Sequence, residues 1–103
     1  MSPRIKIDHN LIVDFCKRWK VKEFALFGSV LRDDFRPDSD VDVLITFDPS
    51  AELGLFEFSR MQKELCQLFG REVDLVSRRG IEASANHLRR TAILSSVEVL
   101  HAA

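Results

Sequence analysis

Three aspartates stand at spacings that suit metal-assisted phosphoryl chemistry. Asp40 and Asp42 open an apolar, β-branched run, and Asp74 lies inside a second apolar run. Because side chains alternate along a strand, Asp40 and Asp42 would point the same way, roughly 7 Å apart. If the second run pairs beside the first, about 5 Å separates Asp74 from Asp42. Carboxylates this close repel one another, and a hard divalent cation, or a pair of them, would offset that repulsion.

A Gly-Ser pair precedes these aspartates by ten residues. Gly28 permits a tight turn and a close approach of the backbone to a ligand. Ser29 would begin a short helix over residues 29–34, whose free N–H groups attract phosphate oxygens. Arg32, one turn further on, would reach the same phosphates as a forked donor, although a structural pairing with its acidic neighbours is an equally good interpretation. The segment therefore predicts a phosphate site beside a cation site.

Hydrophobic periodicity predicts the elements that position these residues. The predicted order is a helix from Asp8 as N-cap to about Trp19, a strand over 23–27, the short helix over 29–34, a strand over 40–47, a helix over 53–69, a strand over 72–76 and a last helix over 85–100. Helices separate the three strands, so the expected fold class is α/β (α+β), with a small mixed β-sheet and helices packed on it.

Alternation also predicts which side chains form the core. In the second strand the side chains assigned to the core face are Val41, Val43, Ile45 and Phe47. In the third strand Val73 and Leu75 face inwards, which turns Asp74 outwards. The long helix should bury one stripe, consisting of Leu55, Phe58, Met61, Leu65 and Leu68, and end at Gly70. The last helix should do the same through Leu88, Ala92, Ile93, Val97 and Leu100.

Composition narrows the classes of function. The chain has 103 residues, 46% of them apolar, and a formal charge of −1, so we expect no direct binding of nucleic acid and no long basic groove of the polymerase kind. Neither a signal-peptide core nor a run of membrane-spanning length is present in the sequence, so the expected location is the cytoplasm. The arginine pairs at 78–79 and 89–90 are expected to be solvated.

The spacing of Gly28-Ser29, ten residues and then Asp40-x-Asp42 resembles the G-S-x10-D-x-D signature of the DNA polymerase beta-like nucleotidyltransferase superfamily. The later aspartate, in 70-GREVDLV-76, is similar to the third carboxylate of that group. The length, together with the Phe-Gly-Ser-x-x-Arg and Ser-Asp-x-Asp contexts, resembles the minimal nucleotidyltransferases. Those proteins are often the antitoxin partners of helical HEPN ribonuclease toxins. The likeness covers about half of the chain.

This resemblance implies a polymerase beta-like palm in one minimal domain over residues 1–103, and transfer of a nucleoside monophosphate, AMP from ATP, to a hydroxyl of a partner protein. It also implies that Asp40 and Asp42 hold Mg²⁺, with two ions expected, that Asp74 completes the site and activates the acceptor hydroxyl, and that Gly28 and Ser29 contact the triphosphate. The expected partner and acceptor is a HEPN-type toxin, in a homo- or hetero-oligomer. The chain contains no Tyr, so a tyrosine acceptor would lie on that partner.

The aspartates have two other interpretations, a calcium-binding loop and the protection of a strand edge. A calcium loop starting at Asp38 would need Gly and Glu where Val43 and Pro49 stand, which excludes it. Aspartates can also protect a strand edge from aggregation, but three of them with a Gly-Ser turn favour a site.

The alternative function is a non-catalytic antitoxin or binding module that neutralises its partner by complex formation. Many relatives carry Ala-Arg-Gly-Glu where this chain has 31-LRDD-34, which makes the loop more acidic.

Overall fold

The computed structural model describes residues 8–28, 40–51, 54–95 and 97–102. Within those ranges the elements are α1 His9–Trp19, β1 Val21–Phe27, β2 Val41–Phe47, α2 Leu55–Phe69, β3 Val73–Ser77, α3 Arg78–Glu82, α4 His87–Leu94 and β4 Val97–Ala102. The short helix predicted over 29–34 lies outside the described residues. None of the helices in these ranges has the length and apolar character that crossing a membrane requires.

The four strands form one mixed sheet in the order β3-β2-β1-β4. β2 runs parallel to β3, whereas β1 is antiparallel to both β2 and β4. The predicted fold class, a small mixed sheet with helices packed on it, is confirmed. β2 is therefore an inner strand, and among the described residues β3 is an edge strand that pairs on one side.

The larger hydrophobic core lies on the sheet face predicted from alternation. Val41, Val43 and Ile45 are fully buried there against α1 and α2, and Phe47 is partly buried. The opposite face, to which the aspartates were assigned, carries a second and smaller cluster. That cluster comprises Ala25, Phe27, Leu44, Ile81 and Ile93. Helices α3 and α4 therefore cover part of the face to which the aspartates belong.

Local signals determine where α1 and α2 begin and end. The Asp8 side chain accepts a hydrogen bond from the Asn10 N–H, which caps α1 as predicted. Gly70 ends α2 in the left-handed conformation, with φ of 69°. The buried stripe of α2 is shorter than predicted, because Leu55 is 90% exposed. The first turn of α2 lines an open cavity at the end of the sheet, and in that turn Phe58 packs against the core whereas Leu55 does not.

The prediction of one helix over 85–100 is wrong in its second half. Helix α4 ends at Leu94, and residues 97–102 form β4, which makes a fourth strand beside β1. An uncovered β1 would present unpaired backbone groups, and β4 pairs with them. Leu88, assigned to the buried stripe, is 85% exposed, whereas Ile93 is buried as predicted.

Arg18 connects α1 to α2. Its Nε donates to Asp14 on its own helix at 2.9 Å, and its Nη1 donates to Glu64 on α2, also at 2.9 Å. The bonds from Arg18 hold the pKa of the Glu64 carboxyl below its usual value of 4.5. A lowered folded-state pKa stabilises the fold above the unfolded pKa, and that stabilisation is lost as the pH falls through the folded-state value.

The Arg18→Met variant should therefore lose stability in a pH-dependent way. Because the arginine is about half exposed, we expect a decrease of about 0.5–1 kcal/mol in the free energy of unfolding at pH 7. Urea unfolding should show the difference from wild type shrinking as the pH falls below the ordinary Glu64 value of 4.5. Lys17→Met, at the exposed neighbouring position, is the control. A difference that stays constant down to acid pH would contradict the ion-pair explanation.

Candidate active site

Parallel pairing of β2 and β3 places two of the predicted aspartates side by side. Asp42 and Asp74 are direct partners in the strand register, between the pairs Val41–Val73 and Val43–Leu75. Since both flanking pairs face the larger core, the two carboxylates share the opposite face. Adjacent strands lie about 4.8 Å apart, so the neighbouring position predicted for Asp74 is confirmed. Asp42 is half-buried and Asp74 is exposed.

Gly28 lies directly against Asp42. It follows Phe27, which pairs with Asp42 across β1 and β2, and its φ is +76°. A Cβ atom at this position would overlap the Asp42 Oδ2 and stand 3.2 Å from its Cγ. Only glycine satisfies both the left-handed backbone and this close approach. Gly28 therefore places backbone without a side chain next to the Asp42 carboxylate.

The third aspartate is less closely joined to the others. Asp40 is exposed and immediately precedes β2, two residues upstream of Asp42. Among residues 8–28, 40–51, 54–95 and 97–102, no three His, Cys, Asp or Glu side chains form a group able to hold a metal ion. The strand register thus brings together two of the three predicted carboxylates, with Asp40 at the strand entrance. Ser29 and Arg32 lie outside the described residues, so their predicted contacts with a triphosphate stay predictions.

An apolar wall adjoins the carboxylate pair. The next partners along the same sheet face are Leu44 and Val76, and both belong to or pack on the smaller hydrophobic cluster beneath α3 and α4. This wall limits water on one side of the half-buried Asp42, whereas Asp74 stays exposed. Electrostatic interactions with a bound ion or phosphate are stronger in such a partly dry setting than in bulk water.

Two features at the opposite end of the sheet were not foreseen. An open cavity of about 970 Å³ lies at the carboxyl ends of β2 and β3, with Thr46, Ser77 and Phe58 in its lining. Arg78, expected to be solvated, is half-buried there and donates to Glu23 and Thr46, at 3.2 Å in each case. These contacts join residues that are far apart in the sequence, and the Arg78-Arg79 doublet was the only local signal.

The chain resembles known proteins over most of its length. The family described as "Nucleotidyltransferase domain" matches residues 9–99. A protein adenylyltransferase, MntA of Thermococcus cleftensis, is 34% identical over 67 residues, which are 65% of this chain and 66% of that protein. The chain spans a little under two thirds of the length of the curated relatives it matches first, 64% and 66% for two of them.

Two solved structures share the fold. A toxin–antitoxin complex with AMP-PNP has a TM-score of 0.72 at 20% identity, covering 94% of this chain and 75% of that one. A complex of the tri-AMPylated Shewanella oneidensis HEPN toxin with its MNT antitoxin has a TM-score of 0.64 at 21% identity, covering 92% and 70%. At these identities the likeness establishes the architecture of the sheet and its helices.

Proposed function

Since the chain belongs to the nucleotidyltransferase domain family, we propose that it transfers AMP from ATP to a hydroxyl group of a partner protein. The observation that carries this proposal is the register pairing of Asp42 with Asp74 beside the bare backbone of Gly28. This arrangement offers hard oxygen ligands next to backbone without a side chain, the kind of position where a main chain can approach a ligand closely.

The donor atoms fit a magnesium ion. Mg²⁺ in proteins is usually held by one or two carboxylates together with substrate phosphates, and it keeps several waters. Asp42 and Asp74 would supply the two carboxylates, and Asp40, at the entrance of β2, would join them on the same side. When bound, Mg²⁺ would neutralise charge on the phosphate oxygens.

The proposed reaction moves one adenylyl group, the AMP part of ATP. The acceptor oxygen forms a bond to the α-phosphorus of ATP, the bond from that phosphorus to the bridging oxygen breaks, and pyrophosphate leaves with the electron pair. Asp74, the more exposed of the paired aspartates, would accept the hydroxyl proton. Gly28 leaves room for the Asp42 carboxylate, because the Asp42 Oδ2 lies where a Cβ atom of any other residue would stand.

We further propose that the acceptor is a HEPN-type toxin and that this chain is its antitoxin. The relative from Thermococcus cleftensis is named as a protein adenylyltransferase, and the Shewanella oneidensis complex contains an AMPylated HEPN toxin with its MNT antitoxin. This chain contains no Tyr, so modification of a tyrosine would have to occur on another chain.

Intact-mass spectrometry of a co-expressed HEPN-type partner tests this function. The partner should gain the mass of one or more AMP groups with the wild-type chain and none with the Asp42→Asn, Asp74→Asn double variant. A tight complex that protects cells from the toxin without any mass gain, with or without the two substitutions, would overturn the proposal and favour neutralisation by binding alone.

A further inference from the structure

Helix α2 holds the backbone of β3 at the residue before Asp74. The Gln62 Nε2 donates a hydrogen bond of 3.0 Å to the Val73 carbonyl oxygen, and Gln62 is half-buried. The preceding carbonyl, that of Glu72, accepts from the Val41 N–H in β2. Successive carbonyls of a strand alternate in direction, so the Val73 carbonyl points away from β2, towards the unpaired side of this edge strand. Gln62 occupies that side.

We infer that Gln62 is a positioning residue for Asp74, a role that rests on the proposed function. It does not touch Asp74 or a substrate, and it acts through the backbone of β3. The strand has five residues and, in the part of the chain that the structure describes, its backbone pairs with β2 alone, so the bond from Gln62 is a second restraint on that backbone. A shift of one residue in its register would turn Asp74 to the core face and remove it from Asp42.

The helix that carries Gln62 is well placed to act as a fixed support. The neighbouring Met61 and Leu65 of α2 are fully buried in the larger core, next to Val73 and Leu75 of β3. The Gln62 side chain therefore extends from a rigid element to a strand edge. Small displacements of a catalytic group are costly, because a misplacement of about 1 Å can lower a rate about a hundredfold.

A Gln62→Met variant tests this role, with Gln67→Met as its matched control. Methionine keeps the length of the side chain and suits a helix, but it cannot donate a hydrogen bond. Gln67 is the same residue type on the same helix, and its side chain is exposed. Circular dichroism should show both variants folded, since neither position belongs to the core.

Three measurements distinguish the positioning of Asp74 from a general contribution of Gln62 to stability. In Gln62→Met the backbone amides of Asp74 and Val76 should exchange with solvent about three- to tenfold faster than in wild type, while β1 amides are unchanged. The Mn²⁺ concentration that half-saturates the chain in the presence of AMP-PNP should rise about fivefold or more, and kcat for AMP transfer should fall about tenfold. Gln67→Met should match wild type in all three.

Each outcome has a distinct meaning. Unchanged exchange in β3 together with an unchanged Mn²⁺ requirement would overturn the inference, whatever the activity. A variant that melts at a lower temperature but keeps its Mn²⁺ requirement and its kcat when folded would show that Gln62 contributes to stability alone. That result would also overturn the inference. Absence of AMP transfer by the wild-type chain would refute the proposed function instead, and the exchange measurement would still test the link between Gln62 and β3.

Discussion

The Asp42→Asn variant should fold like wild type and transfer AMP about a thousandfold more slowly, or not measurably. Asparagine keeps the size of the side chain but removes one of the two negative charges paired across β2 and β3, which in the proposed function would face a bound cation and the triphosphate. Metal-assisted charge stabilisation is worth several kcal/mol, and about 4 kcal/mol corresponds to a thousandfold in rate. The measurement is the rate of AMP incorporation into the partner at saturating ATP.

An exposed aspartate on α1 provides the control for this substitution. Asp14→Asn removes the same charge from a side chain that is 64% exposed and bonded to Arg18, on the other side of the fold's larger core. Its rate should stay within about twofold of wild type, because isolated surface charges contribute little. Equal losses in Asp14→Asn and Asp42→Asn would trace the effect to net charge and not to the site. Full activity in Asp42→Asn would remove this residue from the mechanism.

The Gly28→Ala variant should be both less stable and nearly inactive. A left-handed alanine costs about 1–2 kcal/mol, and its Cβ would overlap the Asp42 Oδ2 unless that carboxylate moved. We therefore expect the free energy of unfolding to fall by about 2 kcal/mol or more. AMP transfer by the folded fraction should fall about a hundredfold, as expected for a displaced catalytic group.

The second left-handed glycine separates these two effects. Gly70, at the end of α2, has φ of +69°, and a Cβ there would meet nothing within 4 Å. Gly70→Ala should thus lose about 1 kcal/mol of stability through backbone strain alone and keep its activity. If Gly70→Ala and Gly28→Ala were equally active once folded, close contact with Asp42 would not be the reason for glycine at position 28.

Strong local periodicity made the aspartate pair predictable. Val41, Val43 and Ile45, at alternate positions of β2, are buried in the larger core, which placed Asp42 on the opposite face, although that face also carries the buried Leu44. Val73 and Leu75 did the same for Asp74, and the choice of neighbour followed from placing both strands in one sheet. A glycine immediately after β1 indicated a close approach, although its partner, Asp42, became evident only from the structure.

Weak or ambiguous periodicity explains the errors. In the last segment the spacing of Val97 and Leu100 suits a helix, whereas that of Val97 and Val99 suits a strand. The strand forms because its backbone pairs with the side of β1 that β2 leaves open. Leu55 matches the spacing of the α2 stripe, but the first turn of that helix lies beside a cavity. The contact of Gln62 with Val73 has no local signature in the sequence, and the arginine doublet did not indicate that Arg78 would pair with Glu23.

Anomalous X-ray scattering from crystals grown with Mn²⁺ and AMP-PNP would test the central claim most directly. The claim predicts a manganese peak within bonding distance of carboxylate oxygens of both Asp42 and Asp74, with the phosphate chain running along the backbone of Gly28. A peak elsewhere, for instance in the cavity beside Ser77 and Arg78, or a nucleotide that contacts neither aspartate, would contradict it.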